Sequence, residues 1–162
     1  MSNIVNEHWI GAAMSEYIFK IAETEKELDE YFRLRHEVFV KEQNIFPGTD
    51  VDEYDNDAVH IVAVEKATGK MVGAVRCYRK EGDTWIGGRL SAAPGYRNGI
   101  IGSNLVRFAV KTMRSRDCKT FLAYIQPQNV RFFERLGWKT KGEPIIYQGL
   151  PHQLMEADLD SG

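Results

Sequence analysis

The sequence predicts an α/β fold in which helices cover both faces of one mixed sheet. Segments with strand-like alternation and segments with the spacing of amphipathic helices follow one another along the chain. Hydrophobic residues make up 43% of the 162 residues, which is enough for a single core, and no repeat or linker divides them. We therefore expect residues 1–15 to form a loosely ordered extension and residues 16–162 to form one domain.

The first half of the chain contains three predicted strands and one helix. Residues Tyr17–Ala22 alternate as a strand, and Thr24 can cap the helix that follows. Val59–Val64 and Met71–Tyr78 flank a glycine-containing turn and predict a hairpin. The helix is indicated by residues at helical spacing that would face the sheet: Leu28, Tyr31, Phe32, Arg35, Val38 and Phe39.

The second half continues the alternation. Trp85–Ala92 predicts a central strand, in which Gly87-Gly88 suits a β-bulge. Phe121–Ile125 predicts a further strand, and two C-terminal strands close the chain. Two helices are indicated by their apolar positions, which are Leu105, Phe108, Ala109 and Met113 in the first and Val130, Phe133 and Leu136 in the second.

Charge and cysteine usage exclude several classes of protein. A formal net charge of -2 gives no basic surface for nucleic acid or for an anionic membrane. No segment has the pattern of a secretion signal or the length of a membrane span. Cys77 and Cys118 lack the spacing of a metal site, so we predict reduced thiols, a cytoplasmic location and no bound metal.

One turn carries the strongest functional signal in the chain. Within Ile86–Val106, an apolar strand passes through a basic, glycine-flanked turn directly into a helix. Gly95, Gly99 and Gly102 withhold side chains where a ligand would approach, and Arg97 adds a positive charge. A helix N-terminus supplies free N–H groups that favour phosphate. The pattern predicts a pyrophosphate site, with an ordinary strand-to-helix connection as the alternative.

This turn resembles the signature of the GNAT superfamily of N-acetyltransferases. In that family a Leu-x-Val-like strand end precedes Pro-x-Tyr-Arg and Gln/Arg-x-x-Gly-x-Gly/Ala, and Leu90–Gly102 matches most of this pattern. The chain departs from it where Ile100 occupies the first glycine position and Gly99 stands one residue early. The likeness runs from about Tyr17 to Leu159. Within the family, the chain is similar to proteins encoded in bacterial nitrilase gene clusters, which share its Gln-Asn-Val-x-Phe-Phe stretch.

The resemblance implies a GNAT-like fold, with a mixed, mostly antiparallel twisted sheet and helices on both faces. It also implies direct acyl transfer from acetyl-CoA to a small nitrogen-containing acceptor. A strand splayed beside Leu90–Ala92 would pair with pantetheine and offer an N–H to the thioester carbonyl. Asn129 would help to hold pantetheine, cap the following helix, or do both. The residues implied in cofactor binding are Leu90, Ser91, Ala92, Arg97, Asn98, Gly99, Ile100, Ile101, Gly102, Ser103, Gln126, Asn129 and Phe133.

The chain departs most from the family in the residues that would transfer protons. Phe133 stands where the family commonly has a tyrosine that protonates the departing thiolate. Tyr124 is the nearest replacement, with a core strand position as its alternative. We predict His152 as the catalytic base, because an imidazole titrates near neutral pH, with a structural bond to a carbonyl as the alternative. Glu42 is the second candidate base, with a surface or capping role as its alternative.

An acidic segment precedes the hairpin. It does not fit the EF-hand template, because Asp55 and Ile61 stand where glycine and glutamate are required. We expect a solvated loop, or else a loop that lines the acceptor pocket and attracts a cationic amine. His60, which follows it, is predicted to be a core histidine. The carboxylates of this segment are Asp50, Asp52, Glu53, Asp55 and Asp57.

Two other functions remain open at this stage. Phe133 and the shifted glycine are also consistent with a GNAT protein that binds acyl-CoA as a sensor or scaffold without turnover. Acyl-homoserine-lactone synthases share the GNAT fold, an Asp-rich segment and an arginine that resembles Arg76, so acyl transfer of that kind is a second alternative. The predicted partner is the small-molecule acceptor, and a homodimer is left open.

Overall fold

The computed structural model describes residues 16–160. The predicted extension over residues 1–15 lies outside the described residues. The α-helices of this described part are α1 (Glu25–Arg35), α2 (Ile100–Ser115) and α3 (Val130–Arg135), and a π-helical segment, His36–Glu42, continues α1. The strands are β1 (Tyr17–Ile21), β2 (Val59–Glu65), β3 (Met71–Glu81), β4 (Thr84–Ala92), β5 (Thr120–Ile125), β6 (Lys139–Thr140), β7 (Ile145–Tyr147) and β8 (Leu150–Glu156).

The strands lie in the order β1-β2-β3-β4-β5-β8-β6, and β7 pairs with β8. Every pairing among the described strands is antiparallel except that of β4 with β5. The predicted mixed, mostly antiparallel sheet is therefore confirmed. The prediction of two C-terminal strands is wrong, because three are present. β6 and β7 are only two and three residues long, too short to show a periodic pattern.

Helix α1 begins where the sequence predicts. The Glu27 N–H donates to Thr24 Oγ1 at 3.1 Å and the Thr24 N–H donates to Glu27 Oε1 at 3.0 Å, which completes a capping box. Beyond Arg35 the helix widens, and the Gln43 N–H donates to the Val38 carbonyl five residues earlier, at 2.9 Å. Such π segments occur often at functional sites.

The core lies on both faces of the sheet. Neighbouring residues of β2 point to opposite faces, so Ile61 packs with Leu105 of α2, whereas Val62 packs with Tyr31 of α1. Both cysteines are buried and free. The predicted helices on both faces are confirmed. No helix within residues 16–160 combines the length and apolar character that a membrane crossing requires.

Gly73 sets the distance between α2 and the sheet. A Cβ atom at this position would lie 2.5 Å from Ile101 Cγ2 and 2.8 Å from Leu105 Cδ1. Such contacts are too short for any real side chain, so the helix packs directly on the β3 backbone. This close approach fixes the first turn of α2 beside the end of β4.

Strands β4 and β5 separate partway along their length. Their pairing ends at Gly87 and Ala123, although β4 continues to Ala92. On the other side of β4, Ala74 pairs with Ser91 and Arg76 with Gly88, so that Val75 alone faces Arg89 and Leu90. The predicted splay is confirmed. The bulge, however, lies at Arg89-Leu90, two residues beyond the predicted Gly87-Gly88, because hydrogen bonds from Arg89 to the Asp50 carbonyl hold it in the bulged conformation.

Candidate active site

A cleft of about 240 Å³ opens between the end of β4, the glycine-rich turn and the first turn of α2. We call it the turn cleft. Eight of the residues predicted to bind cofactor line it, namely Leu90, Ser91, Ala92, Arg97, Gly99, Gly102, Asn129 and Phe133. It is completed by Val38, Gln43, Tyr96 and Phe132. The predicted group of residues is thus brought together mainly at one place.

The glycines of the turn serve two different purposes. Gly95 and Gly99 have φ angles of 89° and 90°, a left-handed conformation that favours glycine. Gly99 is the N-cap of α2, and Asn98 Oδ1 accepts the Ile100 N–H at 3.1 Å. Gly102 has no such backbone requirement, and a Cβ atom there would meet only Phe132 Cζ, at 3.6 Å. Its missing side chain therefore leaves space in the cleft without being needed for the fold.

Arg97 lies at the mouth of the turn cleft. Its Nε donates to the Ala92 carbonyl at 2.9 Å, while Nη1 and Nη2 donate to the two carboxylate oxygens of Glu42 at 2.9 and 2.6 Å. The hydrogen bond from Arg97 lowers the pKa of Glu42. Glu42 does not itself line the turn cleft. The guanidinium is thus oriented by the protein and neutralised by a carboxylate that a stronger anion could replace.

The floor of the turn cleft contains an unsatisfied polar atom. Ser91 Oγ is buried, and it has no hydrogen-bond partner among residues 16–160. Buried hydroxyl groups are usually paired, so an unpaired one that lines a cleft indicates a polar ligand. Beside it, the backbone of β4 beyond Gly87 has lost its partner strand.

A second cavity, of about 220 Å³, lies where β4 and β5 diverge, and we call it the sheet cavity. It shares Gln43, Leu90, Asn129 and Phe133 with the turn cleft. The two spaces therefore meet beside the β4 bulge. Its lining also includes Phe39, Phe46, Arg76, Tyr78, Arg89, Tyr124, Gln126, Tyr147 and His152.

His152 lines the sheet cavity from β8 and is 6% exposed. Its Nδ1 lies 2.9 Å from the Leu150 carbonyl, and a carbonyl can only accept, so Nδ1 carries the proton. Nε2 is then the nitrogen with a free lone pair. The ring packs edge-on against Tyr147 at 5.2 Å. The predicted structural bond is present, and it fixes the orientation of the imidazole.

A family model described as the acetyltransferase (GNAT) family matches residues 18–138, which is most of the chain. The chain belongs to the GNAT acetyltransferase family. It is therefore a transferase, and the predicted family resemblance is confirmed at this level.

Individual relatives agree with this assignment. YjcF of Bacillus subtilis (strain 168), described as an uncharacterized N-acetyltransferase, is 31% identical over 139 residues, covering 85% of this chain and 97% of YjcF. An acyl-CoA N-acyltransferase from Pseudomonas aeruginosa has a TM-score of 0.75 at 23% identity, covering 88% of this chain and 98% of that chain. An aminoglycoside 6'-N-acetyltransferase complexed with coenzyme A has a TM-score of 0.73 at 17% identity, with coverages of 90% and 98%. At these identities the structures show a shared fold.

The acidic loop of this GNAT protein is not the solvated loop that the sequence predicts. Asp50 and Asp55 are buried, at 1% and 7% exposure, although Asp57 and Glu53 are exposed. Arg35 Nε donates to Asp50 Oδ2 at 2.7 Å, and its Nη1 donates to Asp55 Oδ1 at 2.6 Å. The loop is drawn inward because fully buried arginines need carboxylate partners.

Two more arginines complete this buried network. Arg76 Nη1 and Nη2 donate to the two oxygens of Asp52 at 2.6 and 2.9 Å. Arg89 donates from Nε and Nη2 to the Asp50 carbonyl at 3.2 and 2.9 Å. The carboxylates of the loop do not line the sheet cavity, whereas Arg76 and Arg89 do. The alternative, that the acidic loop lines an acceptor pocket, therefore stays a prediction that finds no support in the lining of the sheet cavity.

Arg89 has a φ of 54°, which is rare for a residue with a side chain. This conformation is held by the bonds to Asp50 and by Phe46, whose ring lies 4.1 Å from the guanidinium. Strain of this kind persists only when surrounding contacts fix it, and it is concentrated at functional sites. Here it shapes the β4 bulge at the junction of the two pockets.

Histidine 60 fits its predicted role as a core residue. It is 8% exposed, and its Nε2 lies 3.0 Å from the Asp55 carbonyl. Burial lowers the pKa of His60 and so favours the neutral ring. Its Nδ1 has no partner among residues 16–160.

Several predicted residues lie outside the turn cleft. Ile101 is a core residue at 1% exposure, and Ser103 Oγ donates to the Ile100 carbonyl at 3.2 Å. Gln126 lines only the sheet cavity, where its Oε1 accepts from Gln128 Nε2 at 2.6 Å. Asn129 stands at the N-cap of α3, but its side chain makes no capping bond. Unlike Ile101, Ser103 and Gln126, Asn129 lines both the turn cleft and the sheet cavity.

Some residues of the site were missed by the sequence analysis. Gln43 lines both pockets, and Phe39 and Phe46 pack edge-on at 6.4 Å beside the sheet cavity. Phe39 lies in the π segment, and Gln43 and Phe46 come after it in the chain. Sequence periodicity does not reveal a π segment. Arg89 was detectable in principle, because an arginine within an apolar strand requires a buried partner.

Proposed function

We propose that this GNAT protein is an acyl-CoA-dependent N-acyltransferase, with acetyl-CoA as its donor and a small nitrogen-containing molecule as its acceptor. The observation that carries the proposal is the junction of the two pockets at Leu90 and Phe133. A donor in the turn cleft and an acceptor in the sheet cavity would meet there. Holding two reactants together in this way accounts for a large part of many enzymatic rate enhancements.

In the proposed complex, the turn cleft binds the CoA moiety of the donor. The pyrophosphate would take the place of Glu42 on Arg97 and approach the first turn of α2 over Gly102. Pantetheine would run along the unpaired side of β4, where Ser91 Oγ offers a hydrogen bond. The structurally similar aminoglycoside 6'-N-acetyltransferase is complexed with coenzyme A, which supports CoA as a ligand of this fold.

The proposed reaction is direct transfer without a covalent enzyme intermediate. The acceptor nitrogen attacks the thioester carbonyl, forms the C–N bond and expels the thiolate as the C–S bond breaks. A backbone N–H of Leu90–Ala92 would stabilise the tetrahedral oxyanion. His152 Nε2 would accept the proton that the nitrogen loses.

The thiolate in this scheme leaves without a protein acid at Phe133. A thiol has an ordinary pKa of about 8.5, so the thiolate is a tolerable leaving group that water can protonate. Tyr124 lines the sheet cavity, but it stacks on Tyr147 at 5.4 Å, as a packed strand residue would. We assign Glu42 to Arg97 rather than to proton transfer, because the ion pair lowers the pKa of Glu42 and makes it a weak base.

Three further features belong to the proposal. The likeness to proteins of nitrilase gene clusters favours a small nitrogen-containing metabolite over a protein lysine. Residues 16–162 would act as a single acyltransferase domain in the cytoplasm.

The alternative function is a sensor or scaffold that binds acyl-CoA without turnover, and Phe133 is the observation that favours it. The test is release of free CoA thiol from acetyl-CoA in the presence of a panel of primary amines, with His152→Asn as the comparison. We expect amine-dependent thiol release that the variant largely loses. Tight acetyl-CoA binding with no thiol release for any amine would favour the sensor and contradict the enzyme.

A further inference from the structure

The charged groups that line the sheet cavity all have the same sign. Arg76 and Arg89 contribute guanidinium groups, and no Asp or Glu is among the described residues that line this space. The carboxylates that neutralise the two arginines belong to Asp50 and Asp52, which do not line the cavity. The cavity therefore presents the positive side of the ion-pair network to its contents.

Each guanidinium has a donor that the network does not use. Arg76 bonds to Asp52 through Nη1 and Nη2, while its Nε is buried without a partner among residues 16–160. The hydrogen bonds of Arg89 to described residues run through Nε and Nη2, and Nη1 is the nitrogen that remains. A buried N–H donor is rarely left unpaired, so Arg76 Nε indicates an acceptor group on a ligand.

Aromatic rings hold both guanidinium groups in place. The Phe46 ring lies 4.1 Å from Arg89, and the Tyr78 ring lies 5.0 Å from Arg76. Both rings also line the cavity, together with Phe39. Rigid donors require little reorganisation when a ligand binds, and the rings provide an apolar surface for its carbon skeleton.

We propose that the acceptor is an amine that also carries a carboxylate, which binds to Arg76 and Arg89 while the amine faces His152. This inference rests on the proposed acyltransferase function and narrows its substrate class. A carboxylate has two oxygens and matches two separate N–H donors of arginine. A polycationic acceptor would instead place like charges together, which is unfavourable.

The test compares matched acceptors on the unmodified protein with saturating acetyl-CoA. Each pair consists of a carboxylate and its neutral amide: β-alanine with β-alaninamide, phenylalanine with phenylalaninamide, and 4-(aminomethyl)benzoate with 4-(aminomethyl)benzamide. For at least one pair we expect kcat/KM for the carboxylate to exceed that for the amide by about 10- to 100-fold, the worth of a hydrogen bond to a charged group. Equal or better use of the amide in every pair would overturn the inference.

The outcomes of this test distinguish failure of the inference from failure of the proposed function. If neutral amines are acetylated but no carboxylate-bearing amine is, the acyltransferase stands and the inference fails. If acetyl-CoA does not bind, the proposed function fails first. Acetyl-CoA binding without transfer to any acceptor in the panel also overturns the inference.

A variant tests the role of Arg76 directly. Arg76→Lys keeps the cation near Asp52 but removes Nε, and Arg79→Lys, at an exposed position on the same strand, is the matched control. We expect Arg76→Lys to reduce the preference for carboxylate over amide by about tenfold, with acetyl-CoA affinity unchanged. An equal loss for both acceptors would mean that Arg76 acts only through the fold, which contradicts its assignment as a specificity residue.

Discussion

Arg97 and Glu42 form a two-armed ion pair, with Nη2 2.6 Å from Oε1 and Nη1 2.9 Å from Oε2. The pair joins the end of the π-helical segment to the glycine-rich turn. Both side chains are partly exposed, so the pair is open to competition from solvent and from other anions. The Glu42 carboxylate thus binds the same guanidinium group that we propose binds the pyrophosphate of the donor.

Glu42→Gln is predicted to strengthen acetyl-CoA binding. Loss of the carboxylate frees Arg97, and we expect the dissociation constant to fall about two- to fivefold, with kcat retained. Glu37→Gln, on the same π segment, is the control, because Glu37 pairs with Lys41 instead. Titration calorimetry and steady-state kinetics measure both quantities. A collapse of kcat with unchanged affinity would instead make Glu42 the base.

Gly102→Ala is predicted to weaken acetyl-CoA binding without destabilising the protein. Alanine is favoured over glycine in a helix, so the free energy of unfolding should stay level or rise by about 0.5 kcal/mol. The added methyl group would project into the turn cleft, and we expect acetyl-CoA affinity to fall about tenfold. Ser103→Ala, whose position does not line the cleft, should leave affinity unchanged. Unaltered binding by Gly102→Ala would place the donor elsewhere.

His152→Asn tests the proposed base. The asparagine amide can still donate to the Leu150 carbonyl, whereas the nitrogen equivalent to Nε2 is lost. We expect kcat to fall about 100-fold or more, with unchanged thermal stability and acetyl-CoA affinity. If the melting temperature falls and kcat does not, His152 is only a structural residue.

Asp55→Asn is predicted to destabilise the protein far more than Asp57→Asn in the same loop. Asp55 bonds to Arg35 and lies 3.1 Å from Arg76, so its loss leaves buried positive charge uncompensated, at a cost of about 3 kcal/mol. Asp57 is exposed and serves as the matched control. Urea unfolding measures the difference. Equal stabilities for the two variants would mean that the network contributes little.

The lowered pKa of Asp55 predicts that the free energy of unfolding falls in acid. Burial raises the pKa of Asp55, but its hydrogen bonds and the charges of Arg35 and Arg76 outweigh burial and bring it from 3.8 to about 2. A lowered pKa gives stability that is complete above the ordinary value and is lost as pH falls towards the folded-state value. We expect about 2 kcal/mol to disappear between about pH 4 and pH 2. Asp55→Asn should lack this loss.

The turn cleft was predictable because its signal is local in sequence. Positive φ angles explain Gly95 and Gly99, an open cleft explains Gly102, and all lie within one strand–turn–helix segment with Arg97. The capping box at Thr24 was found for the same reason. Periodicity also located the main strands, since each buries one face or both.

The buried network was not predictable because its partners are far apart in the chain. Arg89 meets Asp50 from 39 residues away, and Arg76 meets Asp52 from 24. A cluster of carboxylates usually indicates a solvated loop, and nothing local shows that three arginines face it. The left-handed Arg89 and the π turn are consequences of tertiary packing, so they too lie outside the reach of local patterns.

The most direct test of the central claim is calorimetric titration with acetyl-CoA of the unmodified protein, Arg97→Ala and the exposed control Arg79→Ala. We predict micromolar binding by the unmodified protein and the control, and binding at least about tenfold weaker in Arg97→Ala, equivalent to about 1.4 kcal/mol. Absence of binding to the unmodified protein, or equal binding by all three, would contradict the assignment of the turn cleft to the acyl donor.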